Sequence, residues 1–159
     1  MEELWVLLHL TGVSVFLIVH GVQIWMMLAL RPCFPDRDRI FDRAEISRRA
    51  TLPMYLSLAV LLVFGVLAGI AGEWFTGSAT WLWASVIVLV IVTALMSAIA
   101  TSFMRNVREA TTQWADGSYT LDDDRLKALL DGPQIALSTA IGGVGLMVIL
   151  WLMVYKPGA

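Results

Sequence analysis

The chain has 159 residues, of which 58% are hydrophobic and only 15% are charged. Water-soluble domains typically carry about 45–50% apolar and about 25% charged residues, so this composition excludes an ordinary soluble protein and points to lipid. The net charge of −2 offers no basic surface for nucleic acid. Cys33 is the single cysteine, which excludes an internal disulfide and a CxxC motif.

Four apolar segments follow one another along the chain, and they contain almost no charged side chains. A bilayer core of about 30 Å requires about 20 helical residues, and lipid favours helices because each helix satisfies its own backbone polar groups. The sequence predicts an all-α, integral membrane four-helix bundle that forms one domain over residues 1–159, with spans at about 4–30, 51–72, 80–104 and 133–155. An acidic start and a long first segment argue against a cleaved signal peptide.

The distribution of Lys and Arg predicts the orientation. Two connections, Arg31–Ala50 and Arg105–Gly132, contain ten of the eleven basic residues. Because basic connections stay in the cytoplasm, both termini are predicted to lie outside, and the chain is predicted to be a multi-pass protein of a bacterial cytoplasmic membrane. An aromatic belt is predicted at the outer boundary from Trp5, Trp74, Trp81, Trp83, Trp151 and Tyr155.

The two cytoplasmic connections are predicted to carry short surface helices. Asp36–Ala50 has acid–base pairs at helical spacing and a weak apolar side, which favours a separate surface helix. The third span is expected to continue as a helix to about Ala115. The pattern Thr120-Leu121-Asp122-Asp123 is typical of an N-cap and predicts a short helix that ends before Gly132.

Both histidines of the chain lie in the first span, where few other ionisable groups occur. His9 and His20 are eleven residues apart, which places them about 20° apart around the helix and about 16 Å apart along it. An intramembrane ionisable residue indicates a function, although a histidine that bonds a neighbouring carbonyl is the structural alternative. The same face carries Gly12, Phe16, Gln23 and Met27.

Haem is the predicted ligand of this face, because neutral imidazole is a common axial ligand of haem iron. We expect haem b near each leaflet, with iron bound by His9 and His20. Small residues beside the histidines, Gly12 and Gly21, would let a flat porphyrin approach the helix. The other candidate cofactor-binding residues are Phe16 and Gln23 on the same face, Tyr55 as a hydrogen-bond donor, and Arg48 and Arg49, which would hold the haem propionates.

The number of axial ligands predicts a dimer. Two haems with two imidazoles each need four histidines, twice the number in one chain. A parallel homodimer supplies them, because a twofold axis along the membrane normal sets each histidine opposite its own copy. The interface is then predicted along Gly12, Phe16, His20 and Gln23, and lipid contact along Leu7, Val15, Val22 and Ala29.

Methionine is the alternative source of the missing axial ligands. Counted from the predicted boundaries, Met96 in the third span lies near the depth of His20, and Met153 in the fourth span lies near the depth of His9. Methionine at such positions is more often core filler than ligand. A same-chain His–Met site therefore stands beside the shared bis-His site.

The first span also resembles a known group of proteins. The pattern Leu8-His9-Leu10-Thr11-Gly12, then Val19-His20-Gly21-Val22 and Leu28-Ala29-Leu30-Arg31, resembles helix 1 of a bacterial four-helix integral membrane family of unknown function. That family is loosely related to the copper-resistance D proteins and to HemJ-type protoporphyrinogen oxidases. The resemblance covers about thirty residues and implies haem bound through a helix 1 histidine, which maps onto His9. The HemJ type also places a lysine in a later helix, and no span here contains lysine.

Together these features predict a membrane cytochrome b-type protein that transfers electrons within or across the membrane, as a homodimer or within a larger complex with a redox partner. One alternative is a transport subunit whose histidines bind a metal ion or pass protons. The other is a structural membrane subunit in which the histidines only pack. Two small-residue patterns, Gly65-x-x-x-Gly69 and Gly142-Gly143-x-Gly145, predict close helix contacts.

Overall fold

The computed structural model describes residues 1–75 and 79–157, and this part of the chain is helical without a β-strand. A turn of 3₁₀-helix at Arg31–Cys33 follows the first helix, and a five-residue π-helical segment at Ser97–Thr101 joins the third helix to the fourth. The six helices of the described residues are α1 Glu2–Leu28, α2 Arg37–Ala71, α3 Thr80–Met96, α4 Ser102–Thr111, α5 Asp123–Asp131 and α6 Gln134–Tyr155.

Four helical stretches are long and apolar enough to cross a membrane, as the hydropathy of the sequence predicts. They contain α1, α2, the continuous run from α3 through the π-helical segment to α4, and α6 with α5 before it. We therefore describe the chain as a multi-pass membrane protein. The exposed faces of these helices are apolar, which suits contact with lipid. Of the residues predicted to contact lipid, Leu7, Val15 and Val22 on α1 are exposed, whereas Ala29, directly after α1, is half-buried.

The predicted separate surface helix at 36–50 is wrong. The structure has one helix of 35 residues from Arg37 to Ala71, so this polar segment is the beginning of α2. Asp36 caps it by accepting a hydrogen bond from the Arg39 backbone N–H at 3.1 Å. No helix-ending residue separates the polar part from the apolar part, and Pro53 lies within the helix without ending it.

The other loop predictions are closer to the structure. The third span continues past the membrane segment but ends at Thr111 rather than near Ala115, because Thr112 is extended. The short helix before Gly132 is present as α5, and Asp122 is its N-cap, accepting from the Arg125 backbone N–H at 2.8 Å.

The four spans are arranged as two helix pairs. α1 packs along α2, and α3 packs along α6, whereas α1 and α6 barely touch. Glycines permit the close approach within each pair: a Cβ on Gly12 would lie 2.9 Å from the Leu61 backbone N, and one on Gly145 would clash with the Val92 side chain. A space remains between the two pairs at membrane depth.

The hydrophobic core lies at one end of the bundle, where the ends of the apolar segments meet the polar connections. We call this part the polar-loop cap. It consists of the end of α1, the beginning of α2, α4, α5 and the beginning of α6. Long-range packing of apolar side chains thus turns the two basic connections into one folded unit. Its buried residues are Met27, Leu30, Cys33, Ile40, Ala44, Phe103, Val107, Ala110, Leu126, Leu130 and Ile135.

Arg37 links three parts of the polar-loop cap. Its side chain is 11% exposed and pairs with Asp123 at 2.6 Å. It also donates to the Ala110 carbonyl at 3.0 Å and the Leu121 carbonyl at 2.9 Å, and it lies 4.3 Å from the centre of the Tyr119 ring. One guanidinium therefore holds α2, α4 and the segment before α5 together.

We expect Arg37→Ala to lower the free energy of unfolding by about 2–3 kcal/mol, because it removes charge-assisted hydrogen bonds from a nearly buried site. Unfolding in mixed detergent micelles measures the change. Arg125→Ala is the matched control: Arg125 pairs with Asp122 at 3.7 Å with both side chains exposed, and such pairs contribute about 0.2–1 kcal/mol. Equal losses in the two variants would contradict the role of Arg37.

The beginning of α1 and the end of α6 lie at the end opposite the cap, which we call the aromatic end. Trp5 stacks on Phe64 with ring centres 5.9 Å apart. The Lys156 ammonium lies 5.5 Å from the Trp74 ring and 5.3 Å from the Trp81 ring. The aromatic residues of the predicted belt thus gather at one end of the bundle. The side of the membrane that this end faces stays a prediction.

Candidate functional site

A cavity of about 840 Å³ lies between the two helix pairs. Cofactor and small-molecule sites typically measure about 300–1,000 Å³ and are mostly apolar, and this cavity has both properties. It extends from Trp74, Trp81 and Lys156 at the aromatic end to three arginines beside the cap. All four spans contribute to its lining, so a ligand inside it would lie at membrane depth.

His9 lines this cavity and is held in a defined orientation. Its Nδ1 lies 2.7 Å from the Leu61 carbonyl oxygen of α2. Because a carbonyl only accepts hydrogen bonds, Nδ1 is the donor of this contact and carries a proton. Gly65 makes room for the ring, since a Cβ there would lie 2.9 Å from Nδ1. The sequence predicted His9 as a site residue but did not indicate its partner on α2.

His20 lines the same cavity and meets different neighbours. Its ring stacks on Phe16 with centres 5.5 Å apart and planes 7° apart. Its Nδ1 is buried, and no described residue forms a hydrogen bond with it. A buried polar atom without a partner costs free energy, so this nitrogen is a place where a ligand or water would be stabilised.

Gly142 is the point where His20 approaches the α3–α6 pair. A Cβ on Gly142 would lie 3.3 Å from His20 Nε2 and 3.6 Å from the sulfur of Met96. The imidazole of α1 and the thioether of α3 therefore both lie beside the same small residue of α6. Met153 also lines the cavity. The depth predicted for Met96 agrees with its position beside His20.

The remaining predicted site residues divide into two groups. Phe16, Gln23 and Arg48 line the cavity. Gly12 does not, because it is buried against Leu61, so its interpretation as room for a porphyrin is wrong. Gly21, in open space on the exposed side of α1, does not line it either, and Arg49 lies outside it with its side chain 76% exposed.

Gln23 and Tyr55 give the cavity a polar zone near the cap. The Gln23 amide donates to the Ser47 carbonyl and to the Thr51 hydroxyl, both at 3.3 Å. The Tyr55 hydroxyl lies 2.7 Å from the Ser97 hydroxyl, at the beginning of the π-helical segment. Such π-helical turns occur frequently at functional sites. Here the turn brings Ser97 to a tyrosine of the opposite helix pair.

Two arginines of the cavity are not among the predicted site residues. Arg105 and Arg108 line it together with Arg48, and we call these three residues the arginine mouth. A signal for them was present, because Arg105 and Arg108 continue the three- and four-residue spacing of Ser97 and Thr101, which also line the cavity. In the sequence prediction, Arg105 and Arg108 indicate only the orientation of the chain in the membrane.

The predicted dimer face is turned toward the inside of the chain. Gly12 is covered by α2, Gln23 is hydrogen-bonded to α2, and Phe16 and His20 line the cavity. An interface between two copies of α1 along this stripe would require the two helix pairs of each chain to separate. The structure therefore does not support this stripe as a surface for dimerisation.

Within the described residues, no three His, Cys, Asp or Glu side chains come together as a group that would hold a metal ion. The cavity thus offers isolated imidazoles and thioethers rather than a multidentate cluster. Compared with protein-family models, with curated proteins and with solved structures, the chain matches none of them.

Proposed function

We propose that the chain is a membrane haem protein of cytochrome b type, and that it transfers single electrons within or across a bacterial cytoplasmic membrane. The lining of one mostly apolar cavity of about 840 Å³ by both His9 and His20 supports this proposal most directly. The hydrogen bond from His9 Nδ1 to the Leu61 carbonyl agrees with a haem ligand and equally with a packing histidine. Metal-binding histidines usually donate their second nitrogen to a carbonyl or carboxylate, which fixes the tautomer and raises the basicity of the ligand nitrogen.

The residues present fit a haem. The cavity is large enough and mostly apolar, and both His9 and His20 line it. At the depth of His20, a same-chain pair with Met96 is favoured over a pair shared between two chains, because both side chains approach Gly142 and the α1 stripe is not free for a partner. Haem iron accepts and releases one electron at a time.

Within this function the chain's own residues bind, orient and shield the cofactor. Leu61 and Gly65 hold the His9 ring, Phe16 holds the His20 ring, and the apolar lining excludes water. An electron donor or acceptor must come from the membrane or from a partner subunit. Association as a homodimer or in a larger complex would use the exposed apolar faces rather than the stripe of α1.

The absorption spectrum of the purified protein tests the proposal. Protein expressed with adequate haem supply should show a Soret band, and reduction should yield the sharp visible bands of a six-coordinate b-type haem. Absence of haem under these conditions would contradict the proposal. A metal or proton transport subunit would then be the better explanation of the same histidines, and their replacement would impair transport in vesicles.

The orientation needs introduced cysteines, because Cys33 is a poor probe. It is buried, and its sulfur contacts the Ala29 carbonyl at 3.3 Å and Arg43 Nε at 2.9 Å. In a Cys33→Ser background, we expect a membrane-impermeant maleimide to label Glu3→Cys in intact cells and Ser118→Cys only after lysis. Labelling of Ser118→Cys from outside would reverse the orientation predicted from the basic residues.

A further inference from the structure

The arginine mouth carries more positive charge than its own carboxylates compensate. Glu45 accepts hydrogen bonds from Arg48 at 2.6 Å and from Arg49 at 3.1 Å, and it lies 3.8 Å from Arg108. Arg105 has only Glu109, at 4.0 Å. The three arginines of the mouth therefore meet two glutamates, one of which also pairs with Arg49, and no other carboxylate of the described residues pairs with them.

This charge excess lies at the entrance of an apolar space. Arg48, Arg105 and Arg108 line the same cavity as the aliphatic and thioether side chains deeper in the bundle. The hydrogen-bonded pair of Tyr55 and Ser97 lies about 10 Å further in, because each is seven or eight residues along its helix from the arginines. The preference of basic residues for the cytoplasm explains on which side of the membrane these arginines lie. It does not explain why all three line a cavity.

We propose that the arginine mouth binds the head group of an acidic phospholipid, whose acyl chains lie along the exposed apolar faces of the neighbouring helices. Guanidinium groups match phosphate oxygens in charge and in hydrogen-bond geometry. Basic pockets between membrane helices on the cytoplasmic side are suited to anionic head groups, which that leaflet supplies. This site does not depend on haem, which would be held by the histidines deeper in the bundle.

Native mass spectrometry tests the proposal on the full chain. The protein is released from bilayers made of equal parts phosphatidylglycerol and phosphatidylcholine, and the lipid that remains bound is counted. We expect retention of phosphatidylglycerol in preference to phosphatidylcholine. The double variant Arg105→Gln/Arg108→Gln should lose at least about ten-fold of this retention, since two charged contacts to one phosphate are removed.

Arg125→Gln is the matched control, because Arg125 is an exposed arginine of the polar-loop cap that does not line the cavity. It should retain phosphatidylglycerol as the unmodified chain does. Equal retention of the two lipids, or equal loss in the control, would overturn the proposal. Free phosphate in the buffer should not displace the lipid, because it lacks the acyl chains that hold the lipid against the apolar helix faces.

Measuring haem-free and haem-loaded protein side by side separates this proposal from the proposed function. We expect the same phosphatidylglycerol retention in both preparations. If haem displaces the lipid, and Arg105→Gln/Arg108→Gln weakens haem binding, the propionates occupy the mouth; the lipid proposal then fails while the haem proposal stands. If the chain retains phosphatidylglycerol but never binds haem, the lipid proposal stands and the haem proposal fails.

Discussion

Replacement of both histidines, His9→Ala/His20→Ala, is expected to abolish haem binding, and each single replacement is expected to remove half of the bound haem. The physical reason is that each imidazole lines the cavity from a different level of α1, so each would hold its own iron. The measurement is the ratio of haem to protein from the pyridine haemochrome spectrum. A double variant with full haem content would show that neither histidine is a ligand.

The two single variants should also differ in their spectra. Loss of His20 leaves the site of His9, whose Nδ1 is held by Leu61. Loss of His9 leaves the site beside Met96, where a thioether–iron charge-transfer band is expected in the oxidised protein. If that band is absent while the remaining haem is low-spin with two nitrogen ligands, a second chain supplies the imidazole, and the bundle must open to allow it.

A control on the same helix distinguishes ligand loss from unfolding. Thr11→Ala changes an exposed residue whose hydroxyl bonds only to the Leu7 carbonyl of its own helix, at 2.8 Å. This variant should keep its full haem content. Circular dichroism of all variants should remain helical, because the core of the chain lies in the polar-loop cap and not around the histidines.

The length and position of the four spans follow from hydropathy, because a bilayer sets the number of apolar residues that a helix needs. The polar-loop cap does not follow from local pattern. Its contacts join residues far apart in sequence, as when Arg37 bonds the carbonyls of Ala110 and Leu121, or when Arg31 donates to the Leu130 carbonyl at 2.8 Å. Helical periodicity contains no information about such pairs.

The candidate site was likewise predictable from the sequence only in part. Projection of α1 places His9, Phe16, His20 and Gln23 on one face, and the structure places all four on the cavity. The projection does not indicate which helix meets that face. Gly12 therefore looked available to a porphyrin, although Leu61 covers it, and the histidines looked available to a second copy of the chain. The neighbour of a helix face is decided by tertiary packing.

Replacing Gly65 tests whether the orientation of His9 matters. A Cβ in Gly65→Ala would lie 2.9 Å from His9 Nδ1 and 3.1 Å from Cε1, so the ring must turn away and lose its hydrogen bond to the Leu61 carbonyl. Alteration of the partners that orient a metal ligand typically weakens metal binding by about 10–100-fold. We expect a loss of that size in a haem titration, limited to the site of His9.

The stability of the fold should change little. Alanine is favoured over glycine inside a helix by about 1 kcal/mol, and loss of the hydrogen bond from His9 to Leu61 costs about 0.5–1.5 kcal/mol. Gly65→Ala should therefore fold about as stably as the unmodified chain while it binds haem less well. Gly12→Ala should fold less stably than the unmodified chain. Its Cβ would meet the backbone of Leu61, which cannot move aside as a side-chain ring can.

Gly143→Ala completes the comparison, since a Cβ on Gly143 of α6 would have no atom within 4 Å. This variant should change neither the unfolding of the protein nor its haem affinity beyond the small gain in helix propensity. If Gly65→Ala binds haem as tightly as Gly143→Ala does, the hydrogen bond from His9 to Leu61 does not position a ligand. In that case His9 only joins α1 to α2, as a packing histidine would.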